Sequence, residues 1–327
     1  MSEKDDISLT QVEDPPTVEL TIDSVEIPTK PKKEFTWQVI VMLGFTIIAW
    51  STPNVVGEYL TNNSGLTPIQ ISAIRYLPAA LTLVIVCLVT KRGRQLIIDL
   101  KEKHIHLVIA SLILASFVLF QMYSVKFTTA SASSFLLNVN PVITFVLSIL
   151  ILKERHKWWG AIGVLISFAG VFFIAVDVRE ISTIFSSDTF LGNFLGFMSG
   201  FAWAAYSIYL KRFLKERDPI TTTTWTLSIS AIILLVLMLA LERTFTVETR
   251  YYHIITLVFL GIVPTAIAFT LWFETIRRIP VQKASVFQFF IPILATLLAL
   301  AMNETIDWFF ALGAVLIIAG VFITQKS

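Results

Sequence analysis

The sequence predicts an all-α integral membrane protein whose ten transmembrane helices form two inverted five-helix repeats. Three observations lead there. First, 55% of the 327 residues are hydrophobic and only 15% are charged, with a mean hydropathy of +0.77, which is too apolar for a soluble domain of this size. Second, the apolar residues gather into stretches of about 20, the length that crosses roughly 30 Å of hydrocarbon. Third, the chain repeats itself: Glu154, Gly163 and Gly170 recur as Glu304, Gly313 and Gly320, and Pro141 recurs as Pro292. The words around them match as well, since Phe168-Ala169-Gly170-Val171-Phe172 answers to Ile318-Ala319-Gly320-Val321-Phe322.

Taken in order, residues 1–34 carry nine acidic and four basic side chains and are interrupted by Pro15, Pro16, Pro28 and Pro31, the composition of a disordered tail. No apolar core follows a basic start, so a cleavable signal peptide is not expected and the first span acts as the insertion signal. The first repeat, residues 35–177, holds spans from Thr36 to Tyr59, Ile69 to Thr90, His104 to Lys126, Thr128 to Leu152 and Trp158 to Val176. The second, residues 189–326, holds spans from Phe190 to Leu214, Pro219 to Leu241, Tyr252 to Phe273, Pro280 to Met302 and Trp308 to Thr324.

Ten crossings leave both termini on one side. Twenty Lys and Arg fall on that side, from the tail and the even-numbered loops, against Lys126, Arg179, Arg243 and Arg250 on the other. Translocated loops are depleted of such residues, so both termini are expected in the cytoplasm of a multi-pass cell-membrane protein. Five spans per repeat is an odd number, so the second copy enters from the opposite side. Inverted repeats of this kind let two near-equal halves exchange access to a midplane site.

Candidate site residues follow from polar side chains that share a helix face. Trp50, Asn54 and Glu58 stand at i, i+4 and i+8 in span one, beside Pro53, and Ser199, Trp203 and Ser207 repeat the stripe in span six with Tyr206 adjacent. Pro141 and Pro292 each displace the carbonyl four residues earlier, Leu137 and Gln288, leaving a hinge or a substrate contact beside Asn138, Asn140 and Gln288. Gln121 and Trp272 sit at comparable depth. The substrate cavity is therefore expected around Trp50, Asn54, Gln121, Asn138, Trp203, Tyr206, Trp272 and Gln288, with hinges at Pro53, Pro141 and Pro292.

A charge in hydrocarbon costs at least about 2.5 kcal/mol, so each buried one needs a partner. Glu58 and Arg75 are expected to form an ion pair or a gate near the external surface, while Lys126 and Glu274 snorkel to the interfaces. The paired glycines, two turns apart on one face, read as helix packing and lack the GxxxxGK[ST] pattern of a nucleotide loop. The single cysteine, Cys87, lies inside span two, and His104, His106, His156 and His253 are not spaced as metal ligands, so no disulfide, metal site or cofactor is expected. No span carries a paired-carboxylate, His-cluster or Ser/Lys arrangement, which disfavours an intramembrane enzyme.

Tyr123 to Ser131, Asn140-Pro141, Lys153-Glu154-Arg155 and Gly160 to Gly170 resemble the EamA-type repeat of the drug/metabolite transporter superfamily. In the second half Leu271-Trp272-Phe273, Ala284-Ser285, Ile291-Pro292, Asn303-Glu304 and Gly313 to Gly320 resemble it again, and Ala49-Trp50 and Ala202-Trp203 match the tryptophan of each repeat's first helix. The second copy departs by one residue fewer between proline and glutamate and by lacking a basic neighbour of Glu304. The resemblance implies a ten-helix permease moving small metabolites, often outward, and does not name the substrate; amino acids or related compounds are the expectation. A lipid or lipid-precursor flippase of the same superfamily is the alternative. The expected partners are a small-molecule substrate and the lipid bilayer, without nucleic acid, and a homodimer is left open.

Overall fold

A computed structural model of the chain describes residues 35–175, 189–242, 250–300 and 308–327. The acidic tail and Glu304 lie outside the described residues. The helices in order are α1 (Trp37–Ser64), α2 (Pro68–Val89), α3 (Gly93–Phe127), α4 (Ala130–Leu137), α5 (Asn140–Leu150) and α6 (Trp158–Ala175) in the first half. The second half holds α7 (Phe190–Phe213), α8 (Pro219–Leu241), α9 (Tyr251–Gly261), α10 (Ala268–Arg278), α11 (Val281–Ser285), α12 (Phe290–Leu300) and α13 (Trp308–Gln325). A π-helical segment, Ile262–Ile267, joins α9 to α10, and a 3₁₀ segment, Val286–Phe289, joins α11 to α12.

Local chemistry sets the helix ends. Thr36, Thr67, Thr129 and Asp218 each accept a backbone N–H at a helix start, and Pro68 and Pro219 fill first-turn positions where a missing N–H is not needed. Gly65 ends α1 in the left-handed conformation, φ 65°, which favours glycine. The backbone leaves helical geometry at Lys103, φ −130°, so a short stretch precedes the third span where the sequence starts it, at His104.

Nine helical stretches among the described residues are long and apolar enough to cross a membrane. The remaining expected span, α7, has the length, 24 residues, but not the apolar content. Gly192, Asn193, Gly196, Ser199, Gly200, Ser207, Lys211 and Arg212 dilute it, and the three glycines and two serines among these are buried against the rest of the bundle. A helix wrapped by other helices can be less apolar than one that faces lipid.

Packing follows a two-fold pattern. In span numbers, span one packs on span eight as span three packs on span six (α1 on α10, α3 on α7). Span four lies against span six as span nine lies against span one (α4 and α5 on α7, α12 on α1), while span two meets span seven and span five meets span ten, each its own equivalent. At the last of these crossings a Cβ on Gly170 would stand 2.6 Å from the Gly313 carbonyl, a Cβ on Gly313 2.6 Å from the Gly170 carbonyl, and a Cβ on Gly163 2.6 Å from the Gly320 carbonyl. The recurring glycines thus bring α6 and α13 into backbone contact, as their spacing predicts.

Candidate functional site

Six aromatic rings from four helices meet within the bundle. Trp50 of α1 and Trp203 of α7, the equivalent tryptophans of the two repeats, touch edge to face with ring centroids 5.0 Å apart. Phe269 lies 5.8 Å from Trp50 and 5.3 Å from Trp203, Trp272 lies 5.4 Å from Trp50, and Phe117 and Tyr206 flank Trp203 at 5.2 and 5.7 Å. Such pairs contribute about 0.5–1.5 kcal/mol each beyond burial. Each indole N–H is satisfied at 3.0 Å: Trp50 donates to the Pro264 carbonyl, Trp203 to Gln288 Oε1 and Trp272 to Ser207 Oγ. The Gln288 Nε2 amide is buried without a partner.

A second layer lies one turn away, where Gln121 follows Phe117 on α3 and Ser199 precedes Trp203 on α7. Ser199 Oγ donates to Gln121 Oε1 at 2.9 Å, and Gln121 Nε2 donates to Ser133 Oγ at 3.3 Å. Asn138 turns its amide onto its own helix, donating to the Ser134 carbonyl at 2.8 Å.

Prolines interrupt the spans that build the site, and neighbouring side chains take over the carbonyls they free. At Pro53 the Thr52 hydroxyl donates to the Ala49 carbonyl at 2.8 Å. Beside Pro141 the Asn140 amide donates to the Leu137 carbonyl at 3.0 Å, and beside Pro264 the Thr265 hydroxyl donates to the Leu260 carbonyl at 2.8 Å. The breaks in spans four and nine precede their prolines, at Asn138–Val139 and Val286–Phe289, because a proline ring fits the first turn of the helix that follows.

At the end of the bundle rich in Lys and Arg, the two halves are tied together. Lys153 adopts a left-handed turn, φ 54°, at about 1 kcal/mol of strain, and the Glu154 N–H closes it on the Ser148 carbonyl at 3.1 Å. Glu154 then meets Lys211 of α7 at 2.7 Å, and Lys211 also donates to the Ile279 carbonyl at 2.6 Å. His156, buried beside them, accepts from Gln282 Nε2 at Nδ1 (2.6 Å) and donates from Nε2 to Ser148 Oγ (3.0 Å), the tautomer that satisfies both neighbours. Burial pushes its imidazole below the ordinary value; Glu154 opposes that shift, and Lys283 and Lys211 reinforce it. Glu274 joins the same end by pairing with Arg277 at 2.9 Å and Arg278 at 2.5 Å.

The opposite end is paired differently. Arg75 of α2 is half-buried, with a buried Nε that makes no hydrogen bond, and its guanidinium stands 5.7 Å from the Tyr76 ring. No carboxylate among the described residues pairs with it. The side chains of Asn54 and Glu58 lie outside the described residues. His253 of α9 is buried with both ring nitrogens unpartnered. Between α1 and α9 an apolar groove of about 430 Å³ is lined by Val55, Val56, Tyr59, Ile255, Thr256 and Phe259.

Of the residues singled out from the sequence, the structure gathers Trp50, Trp203, Tyr206, Trp272 and Gln288 around one point and places Gln121 one turn off. Asn138 serves its own helix break. Sequence reasoning missed Phe117, Phe269 and Pro264, although a proline in mid-span was a usable signal. It also gave Glu154 no place in the site and left His156 aside, since the lysine and glutamine that complete their cluster are more than 50 residues away in sequence.

Residues 36–176 and 190–325 match the EamA-like transporter family. A Bacillus subtilis (strain 168) protein named "Uncharacterized transporter YyaM" is 25% identical over 284 residues, covering 86% of this chain and 91% of that protein. An Archaeoglobus fulgidus protein named "Uncharacterized transporter" is 30% identical over 213 residues, covering 64% of this chain and 71% of its own length. A solved crystal structure shares the fold with a TM-score of 0.77 at 18% identity, covering 88% of this chain and 96% of that one. With both repeats matched and the repeat-equivalent tryptophans meeting at the site, this chain belongs to the EamA-like transporter family of membrane transporters.

Proposed function

We propose that this protein is a secondary transporter that moves small metabolites such as amino acids outward across the cell membrane by alternating access. The observation that carries this reading is the meeting of Trp50 and Trp203, the same position in each repeat, at a site built from both halves. In an inverted repeat, rocking one half against the other exposes such a site to one side and then to the other. The excess of Lys and Arg at one end supports placing that end, and both termini, in the cytoplasm. The cluster of Glu154, Lys211, His156 and Gln282 then acts as a cytoplasmic gate, since it joins the α5–α6 turn of the first repeat to α7 and α11 of the second. Substrate enters the cavity as the aromatic rings part, with the free Gln288 Nε2 offered as a donor. The chemistry asked of the protein is binding and release, which favours a transporter over an enzyme.

The apolar groove between α1 and α9 favours a second reading, a lipid or lipid-precursor flippase with a lateral opening. One experiment separates the two. Purified protein in liposomes, offered a panel of small amino acids, aromatic metabolites and bases with and without an imposed pH gradient, is expected to move at least one class of solute. Scrambling of labelled lipid without solute flux would favour the flippase and overturn the first reading.

A further inference from the structure

Arg75 is a charge inside the bundle for which the aromatic site gives no use. At the basic end Arg92, Arg217, Arg277 and Arg278 each hold a carboxylate, on Asp218, Asp99 with Glu102, and Glu274. Among the described residues no carboxylate pairs with Arg75, and packing sets the position of its helix. The Arg75 backbone carbonyl is pressed against Gly261, where a Cβ would come within 2.5 Å of it and 2.6 Å of Pro78, so α2 is locked onto the turn that leads into the π segment. That segment carries Pro264, the acceptor for Trp50. Tyr76, beneath the guanidinium, is fully buried with an unpartnered hydroxyl, and its ring belongs to the same apolar cluster as Trp203, Tyr206, Phe269 and Trp272. Pro264 follows Gly261 by three residues, about 5 Å at 1.5 Å per residue, so the Arg75 backbone, level with Gly261, stands roughly 5 Å from the acceptor of Trp50 in depth.

A half-buried cation, with an unpaired buried hydroxyl beside it and the aromatic layer below it, is complementary to an organic anion with an apolar body. We infer that Arg75 is the anchor for the carboxylate of such a substrate, whose apolar or aromatic part rests against Trp50, Trp203 and Trp272. Arginine suits the task because its planar fork binds a carboxylate through two parallel hydrogen bonds. The inference rests on the transport reading and narrows its substrate class to small organic carboxylates, amino acids among them.

The test is a comparison of matched acids and amides. Dissociation constants for phenylacetate against phenylacetamide, and butyrate against butyramide, are measured on the purified full-length protein by its tryptophan fluorescence. The acid of at least one pair is expected to bind about tenfold or more tightly than its amide, the factor that a charge-assisted hydrogen bond supplies. Arg75→Gln is expected to abolish the preference, and Arg75→Lys to restore part of it. Equal binding of acid and amide in both pairs, or a preference that survives in Arg75→Gln, would overturn the inference. If Arg75→Gln does not fold, the wild-type ratios and the lysine variant still decide. Adding phosphatidylglycerol to phosphatidylcholine vesicles that hold the protein is expected to leave the ratio unchanged, and its loss would assign Arg75 to a lipid headgroup and overturn the proposal. Binding and flux keep the two readings apart. Acid-selective binding without flux of any solute removes the transport reading and leaves this site, whereas flux without acid selectivity removes only this inference.

Discussion

At the basic end of the bundle Glu154 is held by Lys211 and by the turn at Lys153, Asp99 accepts from Gln95, Arg217 and Thr221, and Glu274 takes two arginines. Toward the other end Arg75 meets no carboxylate among the described residues, and Tyr76 and His253 keep buried polar atoms without partners, as Gln288 Nε2 does in the aromatic site and Glu154 Oε2 and Gln282 Oε1 do within the tie itself. The same physics governs both regions, because a polar group removed from water must find a partner or lose roughly 1–3 kcal/mol. Where partners are present, the two halves are tied. For the proposed transporter, the unpartnered groups around Arg75 and in the aromatic site are places for something that comes and goes. An alternating-access transporter needs both: an end that must be released, and a cavity whose groups are completed by the substrate.

The α6–α13 crossing brings the last spans of the two repeats into backbone contact, so the largest expected effect comes from breaking that spine. Gly320→Leu would push a side chain into the Gly163 carbonyl and Ser167, and is expected to lower stability by about 3 kcal/mol or to prevent folding. Thermal unfolding in detergent checks this, and an unchanged midpoint would show that the crossing is not tightly packed. In the aromatic site, Gln288→Leu removes the acceptor of Trp203 and the free amide together. Flux is expected to fall about tenfold while stability drops by only about 1 kcal/mol. Equal losses in both would make Gln288 a packing residue. At the tied end, Glu154→Lys and Lys211→Glu are each expected to destabilise the protein, and the double exchange to recover about 1 kcal/mol, the coupling of a partly buried pair. No recovery in thermal unfolding would mean that the pair does not bind the halves.

The smallest effect is a pH dependence. His156 is held below its ordinary value of about 6.5 chiefly by burial, with Lys283 and Lys211 acting in the same sense and Glu154 against it. A base whose folded value is depressed binds fewer protons folded than unfolded. Stability is therefore full above about pH 6.5 and is lost as pH falls below it, down to the folded value. The acid-side slope of thermal stability is expected to flatten in His156→Gln, and an unaltered slope would place the titration elsewhere.

Much of the fold was legible because hydrocarbon permits few solutions: apolar stretches of span length and a recurring glycine spacing follow from the solvent. Breaks in spans four and nine were legible from Pro141 and Pro292, although their positions one turn earlier were not, since they depend on which helix the ring starts. The π segment at Ile262–Ile267 escaped notice because it leaves the apolar pattern intact. In the site, the two tryptophans were legible as equivalent positions, and their contact was not. The tie at the basic end could not be read at all, because Glu154, Lys211 and Gln282 come from separate stretches of chain and only the fold makes them neighbours.

The central claim, that one site is presented alternately to the two sides, is tested most directly by counterflow in proteoliposomes. Vesicles preloaded with unlabelled substrate should take up labelled substrate faster than empty vesicles, because a carrier returns more readily loaded than empty. Equal rates with and without preloading would mean an open pathway or no carrier cycle, and would contradict the account.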